Sequence, residues 1–243
     1  MYMIDLPLDA GALTRFSWRQ GHAAGRRPGD EDFGYAAHAW LRAALAEQQL
    51  RPFRLMETRA GLRLLGYATV GLDALVQQAR DFALPEAFKV CHWAAAAGKE
   101  MPAVWTAGRR LGFELRACPI VRGERERDAY LVEVDHARTS GREPASRAQV
   151  YADWLVRQLG RDNAALAERR TLSLIGFRRV QALRQSRSGH GARHQGVERP
   201  DALFSGELAV DDPAAFARLL ERGVGRHRAF GFGMLLLRPP GRG

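Results

Sequence analysis

The order of elements constrains this chain more than anything else in it. Over roughly the first 95 residues, the spacing of apolar side chains runs strand, helix, strand, strand, helix, strand, and after residue 108 the order starts again. Residues 1–8 open as a short strand. Residues 9–32 read as a long irregular segment, mobile or a binding loop, with Gly11, Gly21, Gly25, Pro28 and Gly29 among Arg15, Arg19, Arg26 and Arg27. From Asp32, Phe33, Ala37, Trp40, Leu41, Ala44 and Leu45 recur at helical spacing until Pro52 ends the pattern. Residues 53–70 suit a strand pair turning at Arg59-Ala-Gly61, 72–82 a second helix and 88–93 a closing strand. In the second half, 110–120 alternates as a strand through Leu111, Phe113 and Leu115, and 123–147 is polar and loop-rich, with a further strand an option at 129–134. Residues 146–159 read as a helix capped by Ser146, and 171–183 and 203–210 as strands. A helix with Pro213 in its first turn runs to Arg222, and a strand at 234–237 completes the set. The fold class expected is α+β, two tandem ferredoxin-like (RRM-like) domains at 1–95 and 109–243. The composition shifts between them, at Ala94–Gly98 and Pro102, and only element order repeats.

Charge bounds the partners. The chain carries a net charge of +10, and of 37 basic residues only Lys89 and Lys99 are lysines. A genome bias toward arginine explains that ratio but not the excess of charge, and the arginine fork suits phosphate, so nucleic acid is the expected partner. Cys91 and Cys118 form no CxxC pair, which argues against zinc and a disulfide framework. No carboxylate cluster has metal-ligand spacing, so no cofactor is expected. No apolar run approaches a membrane span and no signal peptide opens the chain, so a cytoplasmic protein without a membrane partner or a small-molecule substrate is expected.

Three stretches carry candidate chemistry. Gly223, Gly225, Gly231 and Gly233 surround Arg226, His227 and Arg228 in a loop between helix and strand. Glycines there suit positive φ or close backbone approach, and such a loop can cradle a phosphate, although a plain glycine-rich turn fits as well. No Gly-Lys-Ser/Thr follows, and the helix-loop-strand order is not that of a dinucleotide site. Tyr35 and His38, at i and i+3, share one side of a helix and can position or move a proton at a phosphodiester, although a surface or capping histidine would look the same. Residues 177–199 hold Arg178, Arg179, Arg184, Arg187, Arg193, Arg199, His190 and His194 among Gly and Ser, suited to a phosphate backbone or to a solvated loop.

These residues also carry a resemblance. Phe204-Ser-Gly-Glu-Leu-Ala-Val-Asp-Asp-Pro213, a helix and the 223–233 loop resemble the C-terminal signature of repeat-associated CRISPR RNA-processing proteins. Tyr35-x-x-His38 followed by Trp40-Leu41, and Phe113-Glu-Leu-Arg-Ala-Cys-Pro119, select the CasE family of type I-E systems, and Trp154-Leu-Val-Arg-Gln-Leu-Gly160 resembles a family helix that is mainly core. The resemblance implies a metal-independent endoribonuclease that binds the repeat hairpin of precursor CRISPR RNA. His38 serves as acid or base with Tyr35 assisting, the cut leaves a 2′,3′-cyclic phosphate and a 5′-hydroxyl, and the protein stays with other subunits of the effector complex. It further implies RNA contacts at Arg116, in the 223–233 loop (Gly223, Gly225, Arg226, His227, Arg228) and along a basic hairpin (Arg178, Arg179, Arg184, Arg187, Arg193). Cys118 stands where the family has Asn, and the 9–32 and 122–147 stretches are unusually long. A diverged type IV branch is the other assignment, in which Arg19, Arg26 and Arg27 carry the chemistry. A non-catalytic hairpin-binding subunit is the alternative function. A general RRM-like protein fits poorly, since Arg228-Ala-Phe-Gly-Phe precedes the last strand instead of lying on a sheet.

Overall fold

The computed structural model describes residues 1–20, 33–45, 50–186 and 193–241, with the backbone alone at 181–186 and 193–197. Strand β1 (Tyr2–Leu8) opens the chain. The segment after it, expected to be irregular, begins with a helix, α1 (Ala10–Arg19), whose cap is the Asp9 carboxylate accepting from the Ala12 N–H at 2.8 Å. Its apolar face is narrow, Leu13 and Phe16 alone among large side chains, and the surrounding Gly and Arg hid it. The remainder of that segment, including Arg26 and Arg27, lies outside the described residues.

Helix α2 (Phe33–Leu45) buries the expected stripe, with the Trp40 indole donating to the Ala87 carbonyl at 2.8 Å. Strands β2 (Phe53–Thr58) and β3 (Gly61–Ala68) form the expected pair, followed by α3 (Leu72–Phe82). The closing strand expected at 88–93 is not one. Residues 85–88 form a short helix, α4 (Pro85–Phe88), and Cys91 makes a single bridge to Leu8. The rings of Phe88 and Trp93 stack at 5.5 Å beside Trp40, so their bulk serves packing and not strand pairing. The strand that pairs with the free side of β1 is β4 (Ala97–Glu100), whose side chains are all exposed and show no apolar alternation to read. The first sheet runs β2-β3-β1-β4, antiparallel throughout.

The second half repeats the plan around β5 (Arg110–Ala117). A two-stranded hairpin, β6 (Ile120–Arg122) and β7 (Glu126–Asp128), leads into α5 (Ala129–Thr139), a helix where a loop or strand was expected. Only Ala129 and Ala137 of α5 are buried, so no stripe was legible; Asp128 starts the helix by accepting from the Tyr130 N–H. Helix α6 (Arg147–Leu159) carries a complete capping box at Ser146 and Gln149. Strands β8 (Ala165–Ala167), β9 (Ser173–Ser186) and β10 (Arg193–Val210), helix α7 (Pro213–Arg222) and β11 (Leu235–Arg238) complete the chain. The order β11-β5-β10-β8, with β9 also along β10, again sets the first strand between the last and the third. Both halves are thus ferredoxin-like. Most of the basic 177–199 stretch is a strand ladder, paired out to Arg193 opposite Ser186.

The halves share a seam. Tyr67 of β3 is buried in the second core and donates its hydroxyl to the Leu235 carbonyl at 2.7 Å. Arg54 of β2, nearly fully buried, meets Glu114 of β5 at 2.5 Å. Among the described residues no helix is long and apolar enough to cross a membrane.

Candidate nucleic-acid interface

The site is built where α2 of the first half meets the loop between α7 and β11 of the second. Tyr35 and His38 sit one turn apart on α2, both half-buried. Phe230 of the loop packs against both. Its ring lies parallel to Tyr35 (5.8 Å between centres, 8° between planes) and edge-on to His38 (5.3 Å, 70°).

Backbone geometry puts Phe230 there. His227 at φ 60° and Gly231 at φ 85° bracket a single tight turn over Arg228–Phe230, closed by the Phe230 N–H donating to the His227 carbonyl at 2.8 Å. Val224 donates to the Gly233 carbonyl and Gly233 to that of Arg116, each at 2.8 Å, tying the loop to itself and to β5. The loop's glycines allow close approach. A Cβ on Gly225 would stand 2.9 Å from the Trp154 ring, and one on Gly233 only 2.5 Å from the Val224 carbonyl oxygen. Gly223 presses likewise on Pro52, so Gly223 and Gly225, expected in a phosphate cradle, face protein.

The basic side chains of the loop converge on one carboxylate, Glu126 of β7. Arg226 Nε reaches Glu126 Oε1 at 2.8 Å, and His227 Nε2 reaches Oε2 at 3.0 Å. Arg199 Nη1 stands 2.7 Å from His227 Nδ1, with its other amino group 4.0 Å from Glu126. A guanidinium only donates, so Nδ1 accepts and the imidazole proton sits on Nε2, facing Glu126. Burial first, then Arg199, pulls the His227 pKa below its ordinary value, against the pull of Glu126. Between about 6.5 and that lowered value the unfolded chain binds a proton that the folded one refuses, so stability falls as the pH drops below about 6.5 and is unaffected above it. Melting curves at successive pH values should show this extra acid sensitivity in the wild type and its loss in His227→Gln.

The other expected contacts are distributed around this centre. Arg228 donates to the Arg222 carbonyl at the end of α7. Arg116 lays a fork on Asp201 at 2.8 and 2.7 Å, covers the Phe232 ring at 4.8 Å and borders Gly231. Arg178 adds a third bond to the same carboxylate at 2.7 Å. Burial alone would raise the Asp201 pKa, yet Arg116 and then Arg178 hold it below the usual carboxylate range. Arg179 approaches Glu198 at 3.6 Å and is half-exposed. Arg184 and Arg193 are rungs of the β9–β10 ladder, and Arg19 is the last residue of α1. Arg187 lies outside the described residues. Phe230, Glu126 and Asp201 were not among the site residues expected from the sequence. Phe230 had a signal, an aromatic between basic and glycine residues, whereas Glu126 is one acid in a charged stretch. Among the described residues no three His, Cys, Asp or Glu side chains are grouped to hold a metal.

A family model described as "CRISPR associated protein" matches residues 1–239. The fold is similar to that of the Thermus thermophilus Cse3 in a structure with RNA representing a pre-cleavage complex (TM-score 0.60, 20% identity, 98% of each chain covered). It is similar to Cas6e of Escherichia coli K-12 (TM-score 0.56, 21% identity, 99% of this chain and 100% of that one). A CRISPR endoribonuclease Cse3 bound to a 19-nucleotide RNA overlays at TM-score 0.64 with 19% identity, covering 98% of this chain and 100% of that one. No curated protein sequence matches the chain.

Proposed function

The chain belongs to the CRISPR associated protein family, and from that premise we propose that it binds and cuts the repeat hairpin of precursor CRISPR RNA, without a metal, in the cytoplasm. The observation that carries this reading is the Tyr35–His38 pair held against Phe230 beside the Arg199–Arg226–His227 cluster. A histidine that can hold or give up a proton next to phosphate-binding cations is what transesterification of RNA requires.

In this mechanism the 2′-hydroxyl upstream of the cut attacks the adjacent phosphorus. The bond from phosphorus to the downstream 5′-oxygen breaks, giving a 2′,3′-cyclic phosphate and a 5′-hydroxyl. His38 takes the proton of the attacking hydroxyl or supplies one to the departing oxygen, and Tyr35 aligns the phosphate. The paired strands β9 and β10, with Arg178, Arg179, Arg184 and Arg193, together with Arg187 of the sequence between them, grip the stem by its backbone, since an A-form duplex offers shape and phosphates more than base edges. Arg116, Arg226, His227 and Arg228, with Gly223 and Gly225 shaping their loop, line the path to the cut. Arg19, Arg26 and Arg27 are further RNA contacts in this reading. The two units divide between β4 and β5, and the product hairpin stays bound as the protein joins the other subunits of an effector complex.

The test is cleavage of the repeat hairpin from the same locus in EDTA. One cut with cyclic-phosphate and 5′-hydroxyl ends is expected. A cut that needs divalent metal would overturn the mechanism, and tight binding with no cut would leave a binding subunit.

A further inference from the structure

Among the described residues, Glu126 of β7 is the acid on which the basic loop converges, and its position is that of a ligand. Its two oxygens take the donors of Arg226 and His227, and Arg199 flanks them. Arg199 and His227 are well buried, with side chains 16% and 11% exposed, and the carboxylate is 30% exposed. The donors are directed independently of Glu126 as well. His227 is held in a left-handed conformation by the turn, and Arg199 on Nδ1 fixes the Nε2 proton outward. An imidazole N–H and the Arg226 guanidinium aimed at a single pair of oxygens, with the Arg199 guanidinium 4.0 Å from one of them, form a receptor for the non-bridging oxygens of a phosphate. Phe230 lies between this receptor and the catalytic candidate, 6.4 Å from His227 and 5.3 Å from His38 by ring centres.

We propose that Arg199, Arg226 and His227 form a phosphate subsite for an RNA nucleotide neighbouring the cut, and that Glu126 occupies it as an internal stand-in until RNA displaces it. The proposal rests on the reading that the chain binds RNA. Glu126 sits on the three-residue strand β7, paired with β6, and its side chain is 30% exposed, so in this proposal it leaves toward solvent by rotation about its own bonds. The carboxylate thus keeps two guanidinium groups and an imidazole N–H in place without RNA, and every RNA that binds must first compete with it.

The test compares Glu126→Gln with the wild type in binding a repeat hairpin whose attacking 2′-hydroxyl is removed to prevent cutting. Glu126→Gln is expected to tighten binding about 3- to 10-fold and to steepen the dependence of log K on log salt by up to about 0.9, one further phosphate neutralised. Arg226→Gln in the same background should abolish both effects. Glu221→Gln, an equal charge change on the exposed end of α7, should do neither. Weaker or unchanged binding by Glu126→Gln would show a brace and overturn the proposal, as would equal tightening by Glu221→Gln. Inorganic phosphate titrated into Glu126→Gln, followed through the His227 imidazole ¹⁵N signals, reads the subsite without RNA. A saturable shift, stronger than in the wild type, is expected, and its absence overturns the subsite. If the wild type fails to bind the hairpin while this shift appears, the RNA reading fails and the subsite stands.

Discussion

Replacing His38 with alanine is expected to slow single-turnover cleavage of the repeat hairpin by about 10²–10⁴-fold, the usual worth of a positioned acid or base. The dissociation constant should stay within about a factor of three, because the imidazole packs against Phe230 and is not among the groups assigned to the backbone. That split separates chemistry from grip. Tyr35→Phe keeps the ring stacked on Phe230 and removes only the hydroxyl, so it should cost less. A cut that survives His38→Ala but fails when Arg19, Arg26 and Arg27 are changed together would move the chemistry to the N-terminal arginines. Loss of hairpin binding in His38→Ala would show that the histidine supports the fold of α2 and would sink its catalytic assignment.

The second large effect is on stability. Gly233→Ala is expected to destabilise the protein by about 3 kcal/mol, from two sources. Gly233 has φ 84°, where a Cβ costs about 1–2 kcal/mol. That Cβ would also stand 2.5 Å from the Val224 carbonyl oxygen, a backbone atom, in the same turn as the 2.8 Å hydrogen bond from Val224 N–H to the Gly233 carbonyl. Gly141→Ala is the control, since Gly141 also has positive φ (63°) and its Cβ would meet nothing within 4 Å. Urea midpoints should show only about 1 kcal/mol for Gly141→Ala and the full effect for Gly233→Ala. Equal costs would mean that the close approach at Gly233 relaxes freely. The same change should also slow cleavage, because Phe230 is three residues away in the loop that would have to shift.

The elements that the sequence made legible are those that bury one apolar face. Helix α2 shows its stripe through Trp40, Leu41, Ala44 and Leu45, and α7 is marked by Asp212 and Pro213 at its start. Elements with little to bury were misread. Helix α5 covers the core with two alanines and depends on its cap, α1 has two large buried residues, and β4 contributes backbone bonds alone. The same rule holds in the site. That Tyr35 and His38 share one side of α2 was legible because three residues on a helix is about one turn, and that the 223–233 loop is tightly turned because its glycine density is rare. Phe230 and Glu126 reach the site through the packing of distant segments, Glu126 being 101 residues from His227, and no local pattern encodes that distance. Asp201 was hidden for a related reason: its partners, Arg116 and Arg178, are 85 and 23 residues away.

The seam between the two halves has a kinetic meaning. The histidine belongs to one half, its aromatic wall to the other, and they meet across a seam in which Tyr67 holds Leu235 and Arg54 holds Glu114. The single chain therefore acts as a tether that sets the effective concentration of one half-site at the other. Were the connection between Glu100 and Arg110 severed, the pieces would have to find each other as separate solutes. A step that is first order in the intact protein would become second order in its fragments, and dilution alone would extinguish it.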